Sequence, residues 1–245
     1  MRRVAYYEHH TGKLHKPLTL AVVSDLHNEE YEDIFPLIKG ADALLVPGDI
    51  CDRYRDEWKR GAAFLRDAAR QLPTFYSLGN HEFDFTSRSA ERVAECGVTL
   101  LLDEYACWEE LCIGGLRSRS KYRAVPPGRS SIPPRTGWLD EFEKQQGYKI
   151  LLSHHPEYYE SYLRERDIDL ILSGHAHGGQ IRLFGHGLFS PGQGIWPKYT
   201  HGLHDGKFIV SAGLANTVPL LPRLFNPTEL VFVDIEKTEK HNPAV

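Results

Sequence analysis

The chain has 245 residues, and its hydrophobic fraction of 41%, with no compositionally biased tract, excludes an intrinsically disordered, collagen-like or low-complexity protein. Its 29 Lys and Arg residues against 33 Asp and Glu residues give a net charge of −4, which argues against holding long nucleic acid by its phosphates. The 13 histidines outnumber the 4 cysteines, and this imbalance points away from thiolate zinc clusters.

The first half of the chain alternates short apolar runs with longer amphipathic ones. The runs at residues 18–23, 43–46 and 74–78 predict buried strands. Residues 56–72 carry apolar side chains at steps of three and four, which predicts a helix between the second and third strands. Strands that alternate with helices indicate an α/β fold with a largely parallel sheet.

The middle of the chain has a different character. Residues 104–116 predict two short strands that form a hairpin. Residues 117–135 then carry several Lys and Arg side chains among prolines, and this basic loop is too long to be a routine connection. A functional loop and an ordinary solvated excursion explain it equally well, so its role stays open.

The second half returns to the alternating pattern. The predicted elements are strands at 148–153, 170–173, 208–211 and 229–235, with a helix near 157–166 and a Gly- and Pro-rich stretch at 174–206. Neither an internal repeat nor a linker marks a boundary, so we expect one domain over residues 1–245 with a loose tail at 237–245.

The sequence carries no targeting or membrane-spanning pattern. The first ten residues, MRRVAYYEHH, lack the apolar core of a signal peptide, and there is no apolar run of about 18 residues that would predict a transmembrane anchor. We therefore expect a cytoplasmic protein, for which peripheral membrane contact stays open. The cysteines are dispersed without a CxxC pair, so we expect free thiols.

Polar residues of metal-ligand type directly follow five of the predicted strands. The five blocks contain Asp25 and His27, Asp49 and Asp52, Asn80 and His81, His154 and His155, and His175 and His177. Ligands of open α/β sheets bind at the carboxyl ends of strands, so we expect these blocks to converge. Any one block has an ordinary structural explanation, such as a helix cap or a turn. Five such coincidences would have to occur independently, so a shared functional site explains the blocks better.

The residue types in the blocks indicate which metal they would hold. Carboxylate, imidazole and one amide oxygen, without thiolate, suit Mn, Fe, Co, Ni or Zn rather than a structural zinc site or an all-oxygen calcium site. There are more ligands than one ion needs. Two ions bridged by a carboxylate would use them all, and such pairs serve the hydrolysis of phosphate esters.

The order of the blocks, D-x-H, G-D-x-x-D, G-N-H-E, H-H-P and G-H-x-H, resembles the calcineurin-like metallophosphoesterase superfamily. The later runs GHAHGGQIRL, FIVSAGLA and PTELVFVDI look most like its YkuE-like bacterial phosphodiesterase branch. The resemblance covers most of the chain. It implies a four-layer α/β/β/α sandwich with the site at one edge.

The resemblance also implies roles for the residues of the blocks. One metal is bound by Asp25, His27 and His177, the other by Asn80, His154 and His175, and Asp49 bridges both. Two divalent ions are implied, with manganese favoured over iron, zinc, nickel or cobalt. A metal-bridging hydroxide would attack phosphorus, and His81, held by Asp52, would protonate the leaving group as general acid.

Two residues in or beside the blocks are candidate substrate contacts. The third block ends in Glu82 where many relatives have Asp, and Asp52 is followed by Arg53. Both features are reminiscent of the Ser/Thr protein phosphatase branch, which uses an Arg at that point to hold phosphate. His155, inside the fourth block, is the second candidate, although a packing imidazole beside the site is the favoured explanation.

The resemblance leaves the substrate open. A phosphodiesterase is the leading hypothesis, acting on a nucleotide, a glycerophosphodiester or a lipid head group. A phosphomonoesterase or a Ser/Thr protein phosphatase-like activity is the alternative. A non-catalytic scaffold of the same fold is disfavoured because a competent residue fills every ligand position, and a nuclease is disfavoured by the net charge.

Overall fold

Most of the chain folds into strands and short helices, as seen in a computed structural model. The structure describes residues 2–52, 58–82, 87–119, 132–216 and 222–238. In chain order the strands are β1 (Arg3–Thr11), β2 (Leu18–Val22), β3 (Ala43–Val46), β4 (Thr74–Ser77), β5 (Thr99–Leu101), β6 (Glu104–Trp108), β7 (Leu111–Leu116), β8 (Tyr148–Ser153), β9 (Leu170–Ser173), β10 (Arg182–Leu183), β11 (His186–Gly187), β12 (Phe189–Ser190), β13 (Gly194–Ile195), β14 (Gly202–His204), β15 (Phe208–Val210) and β16 (Glu229–Lys237). The helices are α1 (Ile34–Ile38), α2 (Trp58–Ala69), α3 (Ser87–Ala94) and α4 (Leu139–Phe142), with one π-helical turn at Tyr159–Leu163 and one 3-10 turn at His177–Gly179.

Two six-stranded mixed sheets form the centre of the molecule. The first has the order β1-β16-β2-β3-β4-β5, in which β2 to β5 run parallel and β16 runs antiparallel to β2. The second has the order β14-β15-β9-β8-β7-β6, with four parallel strands flanked by antiparallel edge strands. The pairs β10–β11 and β12–β13 form small antiparallel ribbons.

Alternate residues of each central strand face two different cores. In β2, Leu20 and Val22 pack between the two sheets, whereas Ala21 packs with the helices outside the first sheet. In β8, Ile150 faces the second sheet's inner side and Leu151 its outer side. Such strands are apolar throughout because both faces are buried. The layers are helix, sheet, sheet, helix, which confirms the predicted four-layer α/β/β/α fold.

Several elements differ from the sequence-based prediction. The helix expected near residues 157–166 is one π-helical turn, and the Gly- and Pro-rich stretch contains the short strands β10 to β14. β1 was not predicted, and it pairs in parallel with β16. Lys237, placed in the loose tail by the prediction, is the last residue of β16, and most of that tail lies outside the described residues.

The topology brings the ends of five strands to one edge of the molecule. β2, β3 and β4 lie side by side in the first sheet, and β8 and β9 lie side by side in the second. Within the part of the chain that the structure describes, no helix is long and apolar enough to cross a membrane.

Candidate metal centre

Seven predicted ligands lie at the carboxyl ends of these five strands. Asp25 and His27 follow β2, Asp49 follows β3, Asn80 follows β4, His154 follows β8, and His175 and His177 follow β9. All seven side chains are buried, and the most accessible of them, His177, is 7% exposed. The structure therefore brings the candidate ligands together in one enclosed place.

Three of these residues form a first group. The ligand atoms of Asp25, His27 and His177 all lie within 4.8 Å of one another. Asp25 Oδ1 is 3.6 Å from His177 Nε2 and 3.9 Å from His27 Nε2. Two imidazoles and a carboxylate at this spacing can hold one divalent ion.

A second group lies on the other side of Asp49. The ligand atoms of Asp49, His154 and His175 also lie within 4.8 Å of one another. His154 Nε2 is 3.1 Å from Asp49 Oδ2 and 3.1 Å from Asn80 Oδ1. The amide oxygen of Asn80 therefore joins this group as a fourth oxygen or nitrogen donor.

One carboxylate oxygen faces both groups. Asp49 Oδ2 is 3.7 Å from His27 Nε2 in the first group and 3.1 Å from His154 Nε2 in the second. Its other oxygen, Oδ1, accepts a hydrogen bond from the backbone N–H of His81 at 2.8 Å, which fixes the orientation of the carboxylate. A carboxylate in this position is suited to bridge two ions.

The side chains of the first group leave donor atoms without hydrogen bonds, and a bound metal ion would satisfy these atoms. Among the residues that the structure describes, neither ring nitrogen of the buried His27 has a hydrogen-bond partner. A buried polar group without a partner is costly, and a bound cation would satisfy it. The donor set of imidazole, carboxylate and amide oxygen suits Mn, Fe, Co, Ni or Zn.

Burial keeps several of these imidazoles in the form that binds metal. Burial lowers the pKa of His27 and of His175 well below the ordinary range, and it lowers the pKa of His177 as well. The neighbouring His155 and His154 lower the pKa of His175 further. A metal binds the neutral imidazole, so these rings need lose no proton near neutral pH.

Asp49 and His154 behave as an ion pair. Burial favours neutral forms of both, but the two groups stabilise each other's charge more strongly. The pKa of Asp49 therefore lies well below its usual range, and the Asp49 charge raises the pKa of His154 to about 10.

Hydrogen bonds from backbone N–H groups hold three of the five loops against each other. The N–H groups of Asp25 and His27 donate to the carbonyls of Gly48 and Asp49, both at 3.1 Å, which joins the loops after β2 and β3. The N–H of His175 donates to Asp25 Oδ1 at 3.0 Å, which links the second sheet to the first. These hydrogen bonds position the loops that carry Asp25, Asp49 and His175.

Close approach of these loops requires glycine. A Cβ on Gly79 would lie 2.1 Å from Asp49 Oδ1, and a Cβ on Gly174 would lie 2.3 Å from Asp25 Oδ2. Both contacts are far inside van der Waals distance, so no other residue fits there. This gives a physical reason for the glycines in the G-N-H-E and G-H-x-H blocks.

The ligands themselves adopt an uncommon backbone conformation. Asp25, Asp49, His175, His27 and His177 all have φ between 45° and 65°. Asp and His adopt this left-handed region more readily than most residues, yet it still costs of order 1 kcal/mol or more at each position. Such conformations cluster at functional sites, where they aim side chains that a regular strand or helix would place elsewhere.

The candidate acid pair lies beside the first group. His81 Nδ1 is 3.3 Å from Asp52 Oδ1, and the His81 ring centroid is 4.4 Å from that of His27. Both side chains of the pair remain slightly accessible, at 14% and 11%. His81 is therefore adjacent to the buried ligands but reachable from outside.

Of the two candidate substrate contacts, His155 lies within the described residues and Arg53 does not. His155 is buried, with its Nε2 2.6 Å from Ser118 Oγ and its Nδ1 3.2 Å from Glu157 Oε1. Hydrogen bonds on both ring nitrogens agree with a packing imidazole beside the site. Arg53 and residues 120–131 of the basic loop lie outside the described residues.

Two contributors to the site had no assigned role in the sequence analysis. Glu82 accepts hydrogen bonds from the backbone N–H groups of Asp49, Cys51 and Gly79 at 2.8 to 3.0 Å, which ties the loop after β3 to that after β4. Asn226 donates from Nδ2 to the carbonyl of His177 at 2.7 Å. Glu82 lies within a motif and could have been found there, but no local pattern marks Asn226.

Comparison with known proteins agrees with this geometry. Residues 18–179, which include all seven candidate ligands, match the family described as calcineurin-like phosphoesterase. An uncharacterized metallophosphoesterase of Campylobacter jejuni is 27% identical over 237 residues, covering 91% of this chain and 60% of that protein. Another from Aquifex aeolicus is 28% identical over 257 residues, covering 96% of this chain and 92% of that protein.

The chain spans about 60% of the length of its Campylobacter and Helicobacter pylori relatives. Among solved structures, a dimetal phosphatase from Danio rerio is 12% identical with a TM-score of 0.48, covering 80% of this chain and 87% of that one. The family match extends over more than half of the sequence and includes every strand that leads to a candidate ligand. The chain belongs to the calcineurin-like phosphoesterase family.

Proposed function

We propose that the protein is a dinuclear-metal-dependent phosphodiesterase. The observation that carries the proposal is the position of Asp49, whose Oδ2 lies within 4 Å of an imidazole nitrogen in each ligand group. Family membership supports the hydrolysis of a phosphoric ester with metal ions. The choice of a diester follows the likeness of the late sequence runs to the bacterial phosphodiesterase branch, and the acid pair described below supplies a proton that such a reaction uses.

Each part of the site has a role in this proposal. One ion would be held by Asp25, His27 and His177, the other by Asn80, His154 and His175, and Asp49 would contact both. Bound divalent ions supply the Lewis acidity that activates water and neutralises charge on the phosphate. These buried side chains would hold the two ions, and ligands positioned in advance would keep reorganisation during the reaction small.

His81 would donate the proton to the leaving group. Asp52 Oδ1 lies 3.3 Å from Nδ1 of the His81 ring, where the carboxylate would stabilise the protonated imidazole that donates the proton. An alkoxide is a poor leaving group, and its protonation removes the charge that would otherwise build on it. Such a proton helps a diesterase expel an alcohol, and a monoesterase acting on an alkyl ester would use it in the same way.

The alternatives use the same residues. A phosphomonoesterase or a Ser/Thr protein phosphatase-like enzyme would also need the two ions and an acid. A scaffold without catalysis would not need a complete set of ligands, and here all seven candidate ligand side chains lie together. The diester substrate, which we expect to be a nucleotide, a glycerophosphodiester or a lipid head group, is part of the proposal. So are manganese as the preferred ion and a cytoplasmic location.

A comparison of two chromogenic substrates tests the proposal. The purified chain is loaded with Mn²⁺ and assayed on bis(p-nitrophenyl) phosphate and on p-nitrophenyl phosphate, with Asp49→Asn as the matched inactive variant. We expect faster turnover of the diester and a loss of about a thousandfold or more in the variant. Equal rates for wild type and variant would disprove the two-metal mechanism, and a strong preference for the monoester would disprove the diesterase assignment.

A further inference from the structure

Two cysteines away from the candidate metal centre face each other across a β-hairpin. Cys107 in β6 is the direct cross-strand partner of Cys112 in β7, and their Sγ atoms lie 3.1 Å apart. Both are free thiols in this structure, and so are Cys51 and Cys96. Two thiols in direct contact can be joined by oxidation while the strand pairing stays as it is, which makes this hairpin a candidate modification site.

The backbone geometry of the hairpin suits a disulfide. Directly opposite residues of an antiparallel pair have Cα atoms about 4.5–5.5 Å apart, and disulfides join residues whose Cα atoms are about 4.4–6.8 Å apart. The two side chains point to the same face of the sheet, where Cys112 lies in the outer apolar core with Leu139 and Leu151. A disulfide bond is about 2 Å long, so the two sulfur atoms need to approach by only about 1 Å more.

Strand pairing holds the two thiols in this position. β7 is bound on both sides, antiparallel to β6 and parallel to β8 along its whole length. In an unfolded chain Cys107 and Cys112 are also close in sequence, but they must find each other by random motion of the chain. The folded hairpin removes that entropic cost, so the two thiols have a higher effective concentration in the native state.

The two thiols differ in their access to solvent. Cys107 is exposed on the edge strand of the second sheet, whereas Cys112 is fully buried. Burial and the hydrogen bond with Cys107 raise the pKa of Cys112 to about 12. The thiolate is the form that attacks a disulfide, so an oxidant from solution should react first at the accessible Cys107.

We propose that Cys107 and Cys112 form a reversible dithiol–disulfide pair that a glutathione-type disulfide oxidises, with Cys107 as the thiol that reacts first. The thiolate of Cys107 bonds to one sulfur of the oxidant, whose S–S bond breaks and releases one glutathione as a thiolate. Cys112 then loses its proton to solvent, its Sγ bonds to Cys107 Sγ, and the second glutathione leaves. Two electrons pass from the cysteine pair to the oxidant, and each released glutathione thiolate takes up a proton.

The pair is independent of the proposed hydrolysis. Cys112 pairs with Lys149 near the start of β8, whereas the candidate ligand His154 follows the end of that strand. The cysteine pair therefore lies toward the end of the second sheet that is opposite the candidate metal centre. Asp49→Asn, which removes the candidate bridging carboxylate, should leave the oxidation of the pair unchanged.

A titration with glutathione tests the proposal. The full chain is equilibrated with oxidised and reduced glutathione at several ratios, once folded and once unfolded in urea, and is then quenched with acid and alkylated. Cleavage after glutamate separates Cys107 from Cys112 and both from Cys96, because Glu104 and Glu109 lie between them. A linked pair of peptides in the mass spectrum therefore reports this disulfide. We expect it to form at least about tenfold more readily in the folded chain, and equal formation in both would overturn the proposal.

Three variants test the order of the steps and the geometry. Cys112→Ser should hold glutathione on Cys107, and Cys107→Ser should take up none at Cys112. The matched control, Cys107→Ser with Ala106→Cys, keeps four cysteines but moves one thiol to the opposite face of β6, where Ala106 packs against the core between the sheets. This control should form no link to Cys112.

Several results would contradict the proposal. They are a link to Cys112 in the matched control, glutathione on Cys112 in Cys107→Ser, wild-type oxidation that stops at the mixed disulfide, and a disulfide that joins two chains through Cys107. The comparison of folded and unfolded wild type decides the matter even if a variant fails to fold.

Discussion

Asp49 Oδ2 lies 3.1 Å from His154 Nε2, and both side chains are buried. Asp49 follows β3 of the first sheet and His154 follows β8 of the second, so this contact joins the two halves of the fold at the centre of the candidate site. Each of the two side chains favours the charged form of the other, which lowers the pKa of Asp49 and raises that of His154. The predictions below follow from this arrangement and from the residues that support it.

The effect of replacing His81 should depend on the leaving group. If His81 protonates an alkoxide, His81→Gln should lower kcat by about 100-fold or more on an alkyl phosphodiester. On a nitrophenyl diester the loss should stay below about tenfold, because nitrophenolate leaves without a proton. The measurement is kcat for both substrates at equal metal content. Asp52→Asn should lower kcat on both substrates as well, but by a smaller factor than His81→Gln does. Equal losses of kcat on the alkyl and nitrophenyl diesters in His81→Gln would exclude His81 as the acid.

Replacing Glu82 by Gln should destabilise the fold, because an amide cannot accept all three of its backbone hydrogen bonds. Its two carboxylate oxygens accept three backbone hydrogen bonds, and burial together with the Asp49 charge raises the pKa of Glu82 to about 7. Glu82→Gln turns an amide N–H₂ toward at least one backbone N–H, so the free energy of unfolding should fall by about 1–3 kcal/mol. Urea denaturation in EDTA measures this. Glu104→Gln, whose carboxylate accepts one exposed backbone hydrogen bond, is the control and should change stability by less than about 0.5 kcal/mol.

Asn226 should affect one metal site and spare the other. Its Nδ2 donates to the carbonyls of His177 and Gln180, and Arg223 donates to its Oδ1 at 3.1 Å, so it holds the loop that carries His177. Asn226→Ala should raise the dissociation constant of one of the two ions by about 10- to 100-fold. Calorimetric titration with Mn²⁺ resolves the two sites. Equal weakening of both ions, or of neither, would contradict a positioning role for Asn226.

His201 should contribute to acid destabilisation. Burial and the charge of Arg182 lower the pKa of His201 to about 4, whereas an unfolded histidine titrates near pH 6.5. Above pH 6.5 the ring is neutral in both states. As the pH falls from about 6.5 toward about 4, the unfolded state binds a proton that the folded state does not, so stability decreases.

Because the ring of His201 is partly exposed, we expect a loss of about 1–2 kcal/mol, less than the full pKa shift would give. The variant His201→Gln should lose correspondingly less stability between pH 7 and pH 4.5. Urea denaturation at several pH values compares the two proteins. If the free energy of unfolding depends on pH equally in the wild type and in His201→Gln, then His201 does not titrate in this way.

The sequence predicted the central strands closely and the periphery poorly. β3, β8 and β9 have the predicted bounds, because each is an apolar run buried on both faces. β1 alternates exposed polar residues with half-buried ones and obtains its order from β16 at the other end of the chain, so no local pattern marks it. One domain over residues 1–245 stays a prediction.

The candidate site shows the same division between local and distant information. Asp49 and His154 could be found because each lies in a short motif directly after an apolar strand. Asn226 acts through hydrogen bonds to a loop far away in sequence, and Ser118, just after β7, reaches His155, just after β8, only once these two strands have paired in the second sheet. Such contacts depend on the tertiary fold, so a single sequence carries no signal for them.

Anomalous diffraction from crystals grown with Mn²⁺ tests the central claim most directly. The account predicts two manganese peaks, one among Asp25, His27 and His177 and the other among Asn80, His154 and His175, with Asp49 in contact with both. Crystals of Asp49→Asn under the same conditions should lose at least one of the peaks. A single peak in the wild type, or peaks away from Asp49, would contradict the dinuclear centre.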